Sequence, residues 1–466
     1  MRMTIAEISH ALGADPCFSG GPSAPVITGV ATDSRAVAPG DIFVCLRGER
    51  TDGHAHVGQA VAAGAAAILS ERELEAPGVP VWRVDSTVAA LGGLASFWRA
   101  RTRARVVCIT GTAGKTTLKD TLGCILAQRG NVAATSGNHN NQIGLPLSIL
   151  AAAGDEDFWV IELGISHDGD MECLGSVVRP DLGVILNVGA GHMDGLGQKG
   201  VAWHKAQLLR HLAPGGLGLV NGCYADLAAE CEKLGEAVEY FGRPADPFHI
   251  VRDFGNGVYE MGLKERTASF HTPFHGSYAW EVALAAASAA CLAGIDDQAI
   301  EQGFRKAHLP RGRFQLSVYG NFFIYDDTYN ANPLSMRAML EAAAEKARKS
   351  GLPLVAVLGE MRELGPVSAE CHYRLGVQLA ALEPAAVFWK GGHETDVRNG
   401  LAAGGSAKIP FYSAGSVDCF APQFDDFTHD LAGAVVLMKG SRSNRLEEYL
   451  EAIRPTLAAR ENVNVL

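Results

Sequence analysis

Five short apolar runs, VVCITG, NVAAT, FWVIELG, LGVILNV and GLGLVNG, fall between Val106 and Gly222, and helix-like sequence follows each one. That repetition constrains the fold more than any other feature. A strand that returns parallel to its neighbour needs a crossover, usually a helix, so the pattern predicts an α/β domain with a parallel sheet covered by helices on both faces. Strands buried on both sides read as continuous apolar runs rather than as strict alternation, as these do.

The pattern extends in both directions on a smaller scale. Before it, VITGVATDS, DIFVCLRG, AAAILSE and VPVWRV read as strands alternating with the helix-like HVGQAVAAGA, and TVAALGGLASFWRARTRA closes the block. The basic run Arg99, Arg101, Arg103 and Arg105 is expected to be a solvated helix end. After the five runs, the irregular stretch from Val238 to Phe274 is expected to add antiparallel strands, and the alanine-rich WEVALAAASAACLAG to form a helix. From HLPRGRFQ onward a smaller α/β domain is predicted, with strands in NFFIYDDTYNANP, LPLVAVLGEM, AVFWKGG and AVVLMKGSR, and helices from Ser335 and near Cys371 to Leu382. The expected domains are 1–101, 102–309 and 310–466, with Pro310 to Arg313 as the hinge. A chain of 466 residues suits this division, because single cores stop growing near roughly 250–300 residues.

A formal charge of −11 argues against nucleic acid as a partner, since phosphate backbones attract basic faces. The ten cysteines include no C-x-x-C pair. Scattered in this way, they point to a reducing, cytoplasmic setting rather than to zinc or redox work. The N-terminus has no apolar signal core, and no run approaches the roughly 18 apolar residues of a membrane span.

The first of the five runs carries chemistry. VVCITGTAGKTTLKDTL reads as strand, glycine turn and helix start, but only Thr112 and Ala113 separate Gly111 from Gly114. The common phosphate loop has four residues in that interval. Even so, a strand end followed by a helix N-terminus presents backbone N–H groups to a phosphate. Lys115 adds a charge for the β- and γ-phosphates, and Thr116 a hydroxyl for Mg²⁺. Glu162, near the carboxyl end of FWVIELG, and His192, just past LGVILNV, point to the same rim, where open parallel sheets bind ligands. A carboxylate and an imidazole beside a triphosphate suit Mg²⁺, directly or through water. The amide-rich GNHNNQIGLP, with Asn138, Asn140 and Asn141, reads as a structural turn or as a sugar-phosphate contact. DDTYNANPLS, after the apolar NFFIY, has the same two readings.

Gly111 to Thr117 resembles the short phosphate loop of the Mur ligases and folylpolyglutamate synthases. GNHNNQIGLP, IELGISHDGDM, DDTYNANPLSM, VLGEMRELG, KGSR and the N-terminal TDSRAVAPGDIFVCLRGERTDGH resemble Mur ligase segments more specifically, and they span all three blocks. The resemblance implies a three-domain enzyme: an N-terminal UDP-sugar domain, a central ATPase domain and a Rossmann-like C-terminal domain. It implies ATP and Mg²⁺ as cofactors and an amide bond made through an acyl phosphate. The YNANP segment is similar to the dipeptide-adding branch, whose substrates are UDP-N-acetylmuramoyl-tripeptide and D-alanyl-D-alanine. A cytoplasmic monomer is expected.

Residue by residue, the resemblance gives Gly111, Thr112, Ala113, Gly114, Lys115, Thr116 and Thr117 to the nucleotide phosphates, with Arg313 and Asp327 reaching the nucleotide from the third domain. Thr116, Glu162 and His192 serve Mg²⁺. Lys205, in GVAWHKAQLL, falls where several members carry a lysine carbamylated by CO₂, which would serve a second Mg²⁺; the other reading is an unmodified surface lysine. Asp33, Ser34 and Arg35 match the segment that holds the UDP part. Thr135, Asn138, Asn140 and Asn141 would line the UDP-sugar peptide. Tyr329, Asn330, Asn332 and Ser335 would face nucleotide or dipeptide, and Lys439, Ser441 and Arg442 would help hold the acyl acceptor.

The chain departs from the pattern ahead of the alanine-rich helix. Members usually show H-N-x-x-N there, whereas Tyr278, Ala279 and Val282 occupy those positions here. Altered adenine recognition is expected. Two alternatives follow: another amide ligase of the same architecture, or a silent nucleotide-binding paralogue.

Overall fold

The computed structural model describes residues 1–17, 25–48, 51–74, 78–190, 195–274 and 279–461. Its largest sheet contains, among the described residues, nine strands. In spatial order they are Arg266–His271, Val258–Leu263, Phe248–Gly255, Val238–Phe241, Leu217–Asn221, Leu182–Ile185, Arg105–Thr110, Phe158–Glu162 and Val132–Ala134. The last six run parallel, so the five apolar runs form neighbouring strands as expected. One part of the expected antiparallel extension differs. Val238–Phe241 pairs parallel with Leu217–Asn221, because the helix Ala225–Glu232 supplies a crossover between them. Antiparallel pairing begins only with the hairpin of Phe248–Gly255 and Val258–Leu263.

The N-terminal sheet is parallel, in the order Gly29–Ala31, Asp41–Val44, Ala67–Ser70 and Val81–Arg83. VITGVATDS is not one strand. Val26–Ile27 pairs antiparallel with Met3–Thr4, and the amide of Thr28 turns away to the Gly40 carbonyl. The expectation for the arginine run fails at Arg99. Its side chain is 11% exposed. Nε donates to the Val178 carbonyl at 2.8 Å and Nη2 to the Arg179 carbonyl at 2.9 Å, with an ion pair to Asp181. The helix Thr87–Arg99 is held against the central domain rather than ending in water. A single apolar core accordingly runs from Met3, Trp82 and Leu94 through Val106, Ile149 and Trp159.

The third sheet is ordered Gln315–Tyr319, Phe322–Asp327, Ala434–Lys439, Leu354–Gly359, Ala386–Lys390 and Phe411–Ser413, parallel except for its first strand. Separate apolar clusters cover its two faces. Asp327 and Lys439 are both strand-end residues, and they lie across a cleft from the carboxyl ends of Arg105–Thr110 and Phe158–Glu162. Among the described residues, no helix is long and apolar enough to cross a membrane.

Candidate active site

The turn after Arg105–Thr110 is short but fully specified. Gly114 has φ +78°, a left-handed conformation that costs glycine little, and its successor Lys115 starts the helix Lys115–Leu126. A Cβ on Gly111 would stand 3.2 Å from Leu186 and 3.3 Å from the Asn187 Oδ1. That oxygen accepts hydrogen bonds from the amides of Thr112 (3.0 Å) and Ala113 (2.9 Å). The segment after the neighbouring strand Leu182–Ile185 thus braces the loop. The Lys115 ammonium donates to the Gly111 carbonyl at 2.8 Å. Burial pushes its pKa down, and nearby Glu162 partly opposes this.

Glu162 is the centre of the rim. Its Oε2 accepts from the Thr116 hydroxyl at 2.8 Å and its Oε1 from the Asn140 amide at 2.7 Å. Its backbone amide donates to the Thr135 hydroxyl at 2.9 Å, and the Lys119 ammonium holds the Thr135 carbonyl at 2.7 Å. Thr117 Oγ1 is buried without a hydrogen-bond partner, on a residue that lines the cleft. Buried hydroxyls are normally satisfied, so an unpaired one beside a phosphate loop fits an absent ligand. The donor set of Thr116, Thr117 and Glu162 consists of oxygens, which suits Mg²⁺. His192 lies outside the described residues. Lys205 is not a surface lysine. It is 3% exposed, with its Nζ 3.4 Å from the Thr110 hydroxyl. Burial, and then the charge of Lys115, hold its pKa well below the ordinary lysine value.

The third domain completes a cavity of about 530 Å³. Arg313, Asp327, Tyr329, Asn330, Asn332, Ser335, Lys439 and Arg442 line it opposite Gly114, Lys115, Asn138, Asn140 and Asn141. The buried Lys439 ammonium pairs with the Asp327 carboxylate and donates to the Asn330 carbonyl at 2.9 Å. The Arg313 guanidinium lies 4.1 Å from the centre of the Tyr329 ring. Asn332 caps the helix Pro333–Ser350 in a box with Ser335, and its amide donates across the cleft to the Thr112 carbonyl at 3.2 Å.

Several expected residues do not reach this cavity. Thr135 and Ser441 are 2% exposed and line none of it. Thr135 orients Glu162, while the Ser441 hydroxyl accepts from the Arg362 amide at 2.8 Å. Asp33, Ser34 and Arg35 are also absent from its lining. Asp33 and Arg35 form an exposed pair, whose hydrogen bonds hold the carboxyl at a pKa of about 2, and Ser34 donates to Gln59 at 2.9 Å. Val282 is packed in the apolar core, as is Ala279, and Tyr278 lies outside the described residues. Sequence reasoning missed Asn187, Gln142, Asp170 and Glu363. The first three stand in or beside quoted segments; Asp170 gathers the amides of Ser166 and His167 and the side chain of Gln142. Glu363, at φ +63°, also stands in a quoted segment, VLGEMRELG, where nothing singled out this carboxylate.

A parallel sheet with a braced phosphate loop, facing a second α/β domain across a polar cleft, defines a multidomain nucleotide-dependent enzyme. Family models match three successive stretches: Mur ligase family, catalytic domain, over 26–99; Mur ligase middle domain, over 109–290; and Mur ligase, glutamate ligase domain, over 312–442. The chain belongs to the Mur ligase family. It is 32% identical to the UDP-N-acetylmuramoyl-tripeptide–D-alanyl-D-alanine ligase of Escherichia coli K12 over 91% of this chain and 93% of that protein. Among solved structures it resembles MurF from Acinetobacter baumannii, with a TM-score of 0.86, 27% identity and coverage of 97% and 98% of the two chains. It also resembles the MurF ligase of Thermotoga maritima in complex with ADP, with a TM-score of 0.81, 27% identity and coverage of 93% and 98%.

Proposed function

We propose that this chain is an ATP-dependent ligase that joins D-alanyl-D-alanine to UDP-N-acetylmuramoyl-tripeptide, releasing ADP and phosphate. One observation carries the reading. Lys115, Thr116 and Glu162 meet Arg313, Asp327 and Lys439 in a single cavity, in a chain whose E. coli relative bears that activity as its name over nine-tenths of both lengths.

The chemistry follows from charge. The tripeptide carboxylate and the triphosphate are both anions, so cations must offset their repulsion before an oxygen can approach the γ-phosphorus. Lys115 supplies one such charge, and the amides at the helix start beyond those held by Asn187, from Gly114 on, face the phosphates and keep them in line. The carboxylate oxygen forms a bond to the γ-phosphorus as the bond to the bridging oxygen breaks, and ADP leaves. The amine of the dipeptide then adds to the acyl carbon. The tetrahedral adduct loses a proton and phosphate to leave the amide. Thr116 and Glu162, with His192 by the family pattern, would hold Mg²⁺, which supplies further charge neutralisation at the phosphate oxygens. Lys205 is the carbamylation site in this reading. Burial, which lowers its pKa, favours the neutral amine, the form that adds to CO₂ with loss of a proton.

Arg313 and Asp327 take the nucleotide, and Asn138, Asn140 and Asn141 the sugar peptide. Tyr329, Asn330, Lys439 and Arg442 serve the dipeptide side, with Asp33, Ser34 and Arg35 holding the UDP end. Thr135, Asn332, Ser335 and Ser441 position these groups. The cytoplasm supplies ATP, and ten free cysteines suit it. A monomer is the state this reading assumes. Measuring ADP release with UDP-N-acetylmuramoyl-tripeptide against a panel of acceptors tests the reading: D-alanyl-D-alanine should be preferred. Equal or better turnover with single amino acids would replace it with another amide ligase.

A further inference from the structure

Asn187 is wholly buried, two residues beyond the strand Leu182–Ile185, and its Oδ1 receives both loop amides. A carboxamide has an acceptor end and a donor end of nearly equal shape, so something must select which end faces the loop. The donor end, Nδ2, points to the Glu281 Oε2 at 3.3 Å. Glu281 is 7% exposed on the helix Ala279–Leu292, whose other buried side chains are alanine, valine, leucine and a serine. Its Oε1 accepts the Tyr224 hydroxyl at 2.9 Å. Burial pushes its carboxyl pKa up, while these two hydrogen bonds and the charge of Arg337 oppose the shift.

We infer that Glu281 is a positioning residue for the phosphate loop: with the loop N–H donors it sets the orientation of the Asn187 amide, whose Oδ1 holds the Ala113 amide and shares the Thr112 amide with the Asn187 main-chain carbonyl. An ionised carboxylate accepts but cannot donate, so it rejects the flipped amide, in which two acceptors would face each other. The flipped form would also turn an NH₂ group against the loop N–H groups. A carboxylate in an otherwise apolar helix is costly to bury unless it is hydrogen-bonded. This one is bonded on the loop side through Asn187 and on the far side through Tyr224. Glu281 lies immediately before Val282, in the segment where this chain departs from its family's pattern.

The inference rests on the reading that the loop holds nucleotide phosphates, and calorimetric binding of ADP to the full chain separates the two. Glu281→Leu should weaken ADP binding at least tenfold while affinity for UDP-N-acetylmuramoyl-tripeptide stays within twofold. Glu281→Gln, which can present either end to Asn187, should fall between. Asn187→Asp sets two carboxylates together and should weaken ADP binding comparably. Adding Glu281→Gln to it restores a donor facing an acceptor at unchanged total charge, and should recover most of the loss. That pair decides the matter if Glu281→Leu fails to fold. ADP affinity within twofold in Glu281→Leu, parallel loss of both ligands together with the melting temperature, or no recovery in the double variant would overturn the inference. A chain that binds no ADP before any substitution overturns the nucleotide reading instead.

Discussion

The two walls of the cleft use polar side chains in opposite ways. On the phosphate-loop wall, polar groups are held from behind but left open in front. Asn187 and Thr135 brace the loop and Glu162, while the Thr117 hydroxyl has no partner and Lys115 rests on a carbonyl of its own loop. On the third-domain wall the polar groups are already engaged: Lys439 with Asp327 and Asn330, and Asn332 with Ser335 and, across the cleft, with the Thr112 carbonyl. Open groups cost little to redirect to a ligand. Closed ones define the shape of the wall, and removing one member leaves its partner buried and unpaired. Ligand binding should therefore depend most on the first wall and folding most on the second.

Substitutions can break that contrast. The largest effect on turnover is expected for Lys115→Ala: ADP release should fall at least a thousandfold with the melting temperature nearly unchanged. Substantial residual turnover would remove the phosphate-loop assignment. Asp327→Ala should do the reverse in emphasis, lowering unfolding free energy by about 3 kcal/mol or more, because it strands the buried Lys439 charge. Denaturant titration checks this, and a change below about 1 kcal/mol would mean that the wall is not self-supporting. Depleting CO₂ and bicarbonate should lower turnover several-fold in the unaltered protein and leave Lys205→Ala insensitive. Arg35→Ala should raise the KM for the UDP substrate with kcat held, since its ion-pair partner among the described residues is the exposed Asp33. The smallest effect is expected from Ser335→Ala, which removes half of a capping box and should cost about 1 kcal/mol of stability.

Much of the fold was legible because crossover connections leave a periodic trace: the five apolar runs became adjacent parallel strands. Val238–Phe241 was misread because what distinguishes a sixth parallel strand from a hairpin is the preceding helix, not the strand itself. Arg99 was misread because a basic run looks solvated until a carbonyl-rich helix end, at Val178 and Arg179, comes to meet it from 79 and 80 residues away. In the site, Lys115, Thr116 and Glu162 were legible because chemistry dictates their type and their place at strand ends. Thr135 and Ser441 stood in the right segments but face inward, and a segment match carries no direction. Asn187 and Glu281 stand in the quoted LGVILNV and WEVALAAASAACLAG, but nothing there marks them as braces, because a brace is defined by what it touches.

The central claim is that a substrate carboxylate attacks the γ-phosphate of ATP in this cleft. It is tested most directly by labelling the tripeptide's acceptor carboxylate with ¹⁸O and following the label through one turnover with D-alanyl-D-alanine. The account predicts that one ¹⁸O appears in the released inorganic phosphate and that ADP forms in equal amount. Amide product accompanied by unlabelled phosphate would contradict it.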